Sequence, residues 1–269
     1  MKTPKKPVTR SLCTHASLAT DLGFVLCAGD TVLVHSSLSK VGWVCGGAEA
    51  LVRALFDVVR DGGTIVVPTH TSDNSDPTEW CAPPVPESWW PTIRGSMLAF
   101  DPAVSRTRQM GVVPETVRGW PGMRRSAHPQ TSFAAVGSRA AAITTGHALD
   151  SMMGDESPLA RLEEVVGAKV MLIGVSWDRC TAFHLAESRL ASTPRKANSF
   201  AAMVDGNRQW VTVEDMEADA DDFEALGAAF EAQTGAVTRV VIGAAETRVF
   251  LMSDAIEFAE KWLLKHRAK

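Results

Sequence analysis

No stretch of this 269-residue sequence is apolar for long enough to cross a bilayer, which argues against a membrane-spanning helix. Cysteine is scarce and unpatterned. Cys13, Cys27, Cys45, Cys81 and Cys180 are odd in number and form no CxxC spacing, so neither a disulfide framework nor a structural zinc site is expected. Basic charge is not in excess. The 27 Lys and Arg against 31 Asp and Glu leave a net charge of −4, which disfavours nucleic acid and anionic membrane as partners and permits a cationic substrate. The basic N-terminus (Lys2, Lys5, Lys6, Arg10) is followed by no apolar core of signal-peptide length, so residues 1–10 read as a flexible tail. Together with the thiols, this points to a cytoplasmic location. GxGxxG and the GKS/GKT phosphate loop are both missing, which removes support for a nucleotide fold. HExxH is missing as well, and with it the main signature of a zinc hydrolase. There are no internal repeats and no low-complexity segment. Tyrosine is absent altogether, and nothing in the sequence explains that.

What is present reads as α/β. A helix is expected over 11–27, with Leu12, Leu18, Leu22 and Val25 inward. Thr31 to His35 is a β-branched strand, and Ala48, Leu51, Val52, Leu55, Val58 and Val59 recur at helical spacing. Asp61–Gly62–Gly63 ends that helix, and Thr64 to Val67 is a second buried strand. Strand, helix and strand in this order make a βαβ unit with parallel pairing. Residues 68–96 hold six prolines with Trp80, Trp89 and Trp90. A loop of that length in a compact domain is usually functional, so it is expected to be ordered and to wall a cleft. A strand follows at 132–136. Ser157–Pro158 then starts a helix as N-cap plus first-turn proline, with Leu159, Leu162, Val165 and Val166 inward. After residue 195 a hairpin is expected about Asp205–Gly206–Asn207. An acidic run from Glu214 to Glu224, a helix, two strands and a closing helix over 254–266 complete the chain.

The stretch from Lys169 to Glu187 draws the chemistry. Val170–Met171–Leu172–Ile173 is a strand buried on both faces, and a polar turn leads from Gly174 into a helix. On that helix His184 and Glu187 lie three residues apart and share a face, just past the carboxyl end of a buried strand. The pair suits a general base and the acid that orients it, because histidine ordinarily titrates near neutral pH. A helix histidine beside a solvated glutamate fits the same spacing. Cys180, four residues ahead of His184, is either an acylated nucleophile or an inert buried thiol. The Ser/Gly-rich segment His35–Ser36–Ser37–Leu38–Ser39 could offer hydroxyls and N–H groups to an extended ligand, or could be a structural turn. His35, His70, His128 and His147 are too dispersed to form a ligand set, and each reads as a structural residue or a supporting donor. The acidic run is either a solvated face or, with Asp73 and Asp76, the lining of a pocket for a polycation.

Over roughly residues 20 to 260 the chain resembles the aminoglycoside 3-N-acetyltransferase family. The resemblance rests on VLVHSSLSKVG, GGTIVVPTHTSD, the Trp/Pro-rich loop, MGVVPETVR, SAHPQTSFAAVG, GDESPLARL and VMLIGVSWDRCTAFHLAE, taken together and in order. Cys180 departs from the pattern, where Asn is expected before Thr181. The resemblance implies a three-layer α/β/α fold with a mixed, largely parallel central sheet, unrelated to the GNAT acetyltransferases. It implies a single acetyltransferase domain over 1–269, whose smaller C-terminal α+β part (196–269) completes the substrate cleft. It also implies direct acetyl transfer from acetyl-coenzyme A to the 3-amine of a 2-deoxystreptamine antibiotic, and hence aminoglycoside resistance. His184 would be the general base and Glu187 its orienting acid. The cofactor would lie along His35, Ser36, Ser37, Leu38 and Ser39, with Ser132 and Phe133. Asp73, Asp76, Glu187 and Asp222 would meet the drug's other ammonium groups, and no metal is expected. Transfer to another amine, a Cys180-dependent acyltransferase, and a ligand-binding protein without turnover are the competing readings. The sequence does not decide between monomer and homodimer.

Overall fold

A computed structural model describes residues 11–267. The basic tail expected over 1–10 lies outside the described residues. The first element departs from expectation: Leu12–Cys13 is a short strand (β1), and the helix is only His15–Leu22 (α1). Thr14 sets the boundary. Its hydroxyl accepts from the Ser17 N–H while the Ser17 hydroxyl accepts from the Thr14 N–H, a closed capping box. Leu12, left outside the helix, is exposed instead of buried. The strand Thr31–Ser36 (β2) is followed by a one-turn helix Leu38–Val41 (α2) and by Trp43–Val44 (β3), which pairs in parallel with β1. The amphipathic helix Gly47–Val59 (α3) and the strand Thr64–Pro68 (β4) complete the βαβ unit as expected.

Next come Trp90–Ser96 (α4), Val112–Arg118 (α5), Arg124–Arg125 (β5), Phe133–Gly137 (β6), Ala140–Thr144 (α6) and Pro158–Glu163 (α7). Because α7 closes at Glu163, Val166 stands fully in solvent rather than inward. Lys169–Ile173 (β7) and Ala182–Ser188 (α8) then precede a hairpin of Arg195–Val204 (β8) and Asn207–Met216 (β9). Asp205 and Gly206 both have positive φ, the geometry of a tight hairpin turn. Phe223–Thr234 (α9), Thr238–Ile242 (β10), Ala245–Leu251 (β11) and Met252–Arg267 (α10) finish the described chain.

Seven strands form the central sheet in the order β10-β11-β7-β2-β4-β6-β5. Its centre, β7-β2-β4, is parallel, while β6 and β11 run against their neighbours, so five of the seven strands point the same way. Alternate side chains feed two cores. Leu33, Val66, Val170 and Leu172 pack with Leu162, Leu185, Phe230 and Leu263 of α7, α8, α9 and α10. Val32, Val34, Ile65, Val67 and Met171 pack with Leu18, Leu51, Leu55 and Val117 of α1, α3 and α5 on the other face. A strand buried on both sides must be apolar at every position, which is why these runs lack the in-and-out alternation of a half-exposed sheet. The result is three layers, α/β/α.

The C-terminal part is not set apart from this architecture. β10 and β11 extend the main sheet beyond β7, and α9 and α10 share the core of α7 and α8. The β8–β9 hairpin forms a sheet of its own, as β1–β3 does earlier in the chain. The Pro/Trp-rich loop packs against it: the Asn74 side chain donates to the Ala201 carbonyl and accepts from the Ala201 N–H, both at 2.9 Å.

Candidate active site

The three parallel strands deliver Ile173, Ser36 and Pro68 to one edge of the sheet, and a cleft of about 650 Å³ opens there. Open α/β sheets bind ligands at this edge because the chain must leave each strand in a loop there. One wall is the continuous run His35 to Ser39. A second is Pro68 and His70 after β4. The third comes from Val175, Asp178, Arg179, Thr181 and His184 after β7. Gly174 makes the turn out of β7 with φ of 63°, and a Cβ there would come within 2.6 Å of the Lys40 Cβ, so only glycine fits. The fourth wall is Gln109 to Pro114 at the start of α5. Of the loop 68–96, expected to wall the cleft, Pro68 and His70 do line it, while 71–96 contributes no lining residue and braces the hairpin.

His184 and Glu187 meet as their spacing suggests. The His184 Nδ1 lies 2.6 Å from Glu187 Oε2, and the other imidazole nitrogen is left for the cleft. Glu187 is wholly buried. Its Oε1 accepts the Asp219 N–H at 3.0 Å and a hydrogen bond from Arg267 Nη1, 80 residues along the chain. A carboxylate out of water requires such partners. Arg267 in turn grips Asp222, with Nε 2.8 Å from Oδ2 and Nη2 2.5 Å from Oδ1. The Phe223 ring lies 4.7 Å from the His184 ring, centroid to centroid, and closes its flank.

Two further imidazoles face the same cleft. Burial, reinforced by the His184 charge, pushes His35 and His70 down to about 3, so both are neutral at physiological pH. His35 Nε2 sits 3.3 Å from the Thr181 hydroxyl, while His70 Nε2 and Ser36 Oγ are buried with no partner among the described residues. Orphaned polar atoms in a cleft are what a polar, extended ligand would satisfy. His128 and His147 lie deeper, with ring centroids 4.7 Å apart, and serve structure: the His128 Nδ1 accepts from the Gln130 and Thr131 N–H groups.

The remaining sequence candidates are scattered. Ser132 and Phe133 are fully buried beneath the cleft rather than in its wall. Ser132 donates to the Thr69 carbonyl and accepts from buried Arg125, and Phe133 supports the edge of His70 at 5.4 Å. Asp73 is exposed. Asp76 is held by Arg94 through two bonds of 2.8 Å, which lower its carboxyl to about 2. Asp222 belongs to Arg267, and Glu187 borders a separate cleft of about 590 Å³ with Glu217, Asp219 and Arg267. Among the described residues none beyond His184 lines the main cleft, so the C-terminal part borders the second cleft and not the first.

Cys180 is fully buried, and desolvation pushes its thiol up to about 12. The N–H groups of Ala182 and Phe183 lie against its sulfur, where it stands in for a polar cap at the start of α8. A neutral thiol that no solute reaches is a poor nucleophile. Among the described residues no group of three or more His, Cys, Asp and Glu is arranged to hold a metal ion. Likewise, no helix is long and apolar enough to cross a membrane.

Sequence reasoning missed Arg267, the Gln109–Pro114 wall and the placement of His70. A basic residue in the last turn of a closing helix reads only as a partner for the helix dipole, so Arg267 carried no signal of its own.

Comparison with known proteins matches this geometry. A family model described as aminoglycoside 3-N-acetyltransferase matches residues 33–264. A prophage-derived aminoglycoside N(3')-acetyltransferase-like protein, YokD of Bacillus subtilis (strain 168), is 42% identical over 242 residues, 90% of this chain and 88% of its own. Aminoglycoside N(3)-acetyltransferase VII of Streptomyces paromomycinus is 34% identical, with 98% and 94% covered. The YokD crystal structure superposes with a TM-score of 0.93 at 40% identity, covering 96% of this chain and 95% of that one. A structure of AAC-IIIb in binary complex with CoASH gives 0.84 at 31% identity, covering 95% and 97%. AAC-VIa bound to sisomicin gives 0.84 at 30% identity, covering 95% and 99%.

Proposed function

Because the chain belongs to the aminoglycoside 3-N-acetyltransferase family of enzymes, we propose that it moves the acetyl group of acetyl-coenzyme A directly onto the 3-amine of a 2-deoxystreptamine antibiotic, with His184 as general base. The observation that carries this reading is the 2.6 Å His184–Glu187 pair facing the same cleft as His35–Ser39. With Nδ1–H donated to Glu187, the other nitrogen of His184 keeps a lone pair toward the cleft. It accepts a proton from the attacking amine as the new C–N bond forms. The C–S bond of the thioester then breaks, and the proton returns to the departing sulfur. Glu187 fixes the tautomer and offsets the charge that His184 takes on.

The co-substrate fits the wall it is assigned to. The pantetheine arm is a chain of amides, and along His35 to Ser39 it meets hydroxyls, N–H groups and the unpartnered Ser36 Oγ. Ser132 and Phe133 lie against Thr69 and His70, under the neighbouring wall. Direct transfer is favoured over an acyl-enzyme because Cys180, the nearest thiol, is buried and protonated. Of the four carboxylates expected to meet the drug, Asp73 is exposed but lies outside the cleft wall, in which Asp178 is the acidic residue. Asp76 and Asp222 already hold arginines, and Glu187 is spent on His184. Acetylation removes one positive charge from a ligand that binds RNA phosphates largely by charge, which accounts for resistance. Unpaired thiols and the need for acetyl-coenzyme A fit a cytoplasmic enzyme.

The test is thiol release from acetyl-coenzyme A across a panel of aminoglycosides, with the acetylated position read by NMR. The reading expects amine-dependent release and an acetyl group on N3. No release with any deoxystreptamine, or acetyl on a different nitrogen, would overturn it.

A further inference from the structure

We propose that Arg267, in the last turn of α10, is a positioning residue for the transfer: its guanidinium holds buried Glu187 in place and aimed at His184. This rests on the reading of His184 as base. Each acceptor oxygen of Glu187 has an assigned partner, Oε2 on His184 and Oε1 on the Asp219 N–H and Arg267. Of these partners only Arg267 carries a permanent positive charge. The guanidinium is itself fixed on several sides. It forks onto Asp222, donates to the Asp219 carbonyl at 2.8 Å, and sits 5.9 Å from the Phe223 ring that also flanks His184. Three nitrogens aimed at four oxygens of three residues demand a planar guanidinium, and a lysine could supply the charge but not the fork. Arg267 lies beyond residue 264, where the family match ends, so a comparison confined to the matched segment leaves it out.

The charged and titratable groups around the pair set the sign of the effect. His184 lies on α8, Arg267 and His266 on α10, and Asp219 and Asp222 ahead of α9. Glu217 borders the adjoining cleft, and His35 and His70 lie across the main one. Arg189, with Asp155, Glu163 and Glu260, forms a separate network past the end of α8. A general base acts only while its accepting nitrogen is free of a proton. Removing the guanidinium takes a positive charge from beside the pair, so the pair binds an additional proton more tightly. The acid limb of activity must therefore move to higher pH.

The experiment compares kcat and the pH profile of kcat/KM for the full-length enzyme, Arg267→Gln and Arg267→Lys, with His184→Ala as reference. The expected outcome for Arg267→Gln is a kcat lower by about tenfold or more, typical of losing a group that orients a reacting residue. Its acid limb should lie at higher pH than that of the wild type. Arg267→Lys should keep the wild-type limb with a reduced kcat, which loss of helix packing alone would not produce. Should Arg267→Gln fail to fold, a displaced limb in Arg267→Lys would overturn the proposal. So would an Arg267→Gln profile that superposes on the wild type with kcat within about twofold. If His184→Ala itself keeps wild-type turnover, the base reading falls. If His184→Ala is inactive while Arg267→Gln matches the wild type, only the assignment of Arg267 falls.

Discussion

Gly227→Ala is a one-methyl change on α9, well away in sequence from His184, yet the packing makes it costly. A Cβ at Gly227 would lie 2.1 Å from Cδ2 and 2.2 Å from Cγ of Trp177. The indole cannot easily retreat. It is 2% exposed and is boxed in by Phe183, Phe230 and Phe250 at ring separations of 5.8, 6.2 and 5.2 Å, with the Arg248 guanidinium 5.4 Å from its face. Alanine favours a helix interior over glycine by about 1 kcal/mol. Overpacking costs about 1–3 kcal/mol, and a rigid ring that must move by more than an ångström puts this site at the upper end. The net expectation is a loss of roughly 1–2 kcal/mol, which is about 2–8 °C in Tm for a chain of this size. Trp177 opens the turn into α8 and stacks on Phe183, the neighbour of His184, so kcat should fall with the melting temperature. Parallel thermal melts and thiol-release rates on the two proteins check this. An unchanged or raised Tm would show that helix propensity wins and that the Trp177 packing argument is wrong.

Two further outcomes follow from buried groups. Cys180→Ser should keep thiol release within about threefold of wild type and yield no acyl-protein by mass spectrometry, while losing about 1 kcal/mol because a hydroxyl replaces a buried thiol. Abolished turnover with a trapped acyl group would restore the nucleophile reading. The buried histidines should make the fold acid-sensitive: burial lowers His35 and His70 to about 3 and His128 to about 4, and His147 is lowered as well. Their folded values lie below the unfolded value near 6.5, so the unfolded chain binds more protons as pH falls. The stability they confer is intact above about pH 6.5 and drains away below it, by up to about 1.4 kcal/mol per pH unit for each group. Urea titrations at pH 7.5 and pH 5 check this, and equal midpoints would contradict it.

Much of the fold was legible because strands buried on both faces and amphipathic helices write their periods directly into the sequence. The runs at 31–35, 64–67 and 170–173 became the three parallel central strands, and Asp205–Gly206 made the hairpin turn. The errors came where a local cap beat periodicity. Thr14 with Ser17 cut the first helix short, and α7 stopped before Val166. The site was legible in part. His184 and Glu187 are neighbours on one helix turn, so their spacing implied contact, and His35 to Ser39 is a continuous loop. Arg267 reaches Glu187 from 80 residues away, and Gln109–Pro114 closes the cleft across the sheet edge. Such contacts depend on tertiary placement that no local pattern encodes. The carboxylates misled for the opposite reason. Asp76 and Asp222 looked available, yet Arg94 and Arg267 had already claimed them.

The measurement that bears most directly on this account is single-turnover acetyl transfer by His184→Ala, run beside calorimetric titration with coenzyme A. The account predicts a rate lower by about 10²–10⁴-fold with coenzyme A affinity little changed, since His184 is assigned to the proton and His35–Ser39 to the cofactor. A near-normal rate, or a loss traceable to weaker coenzyme A binding, would contradict it.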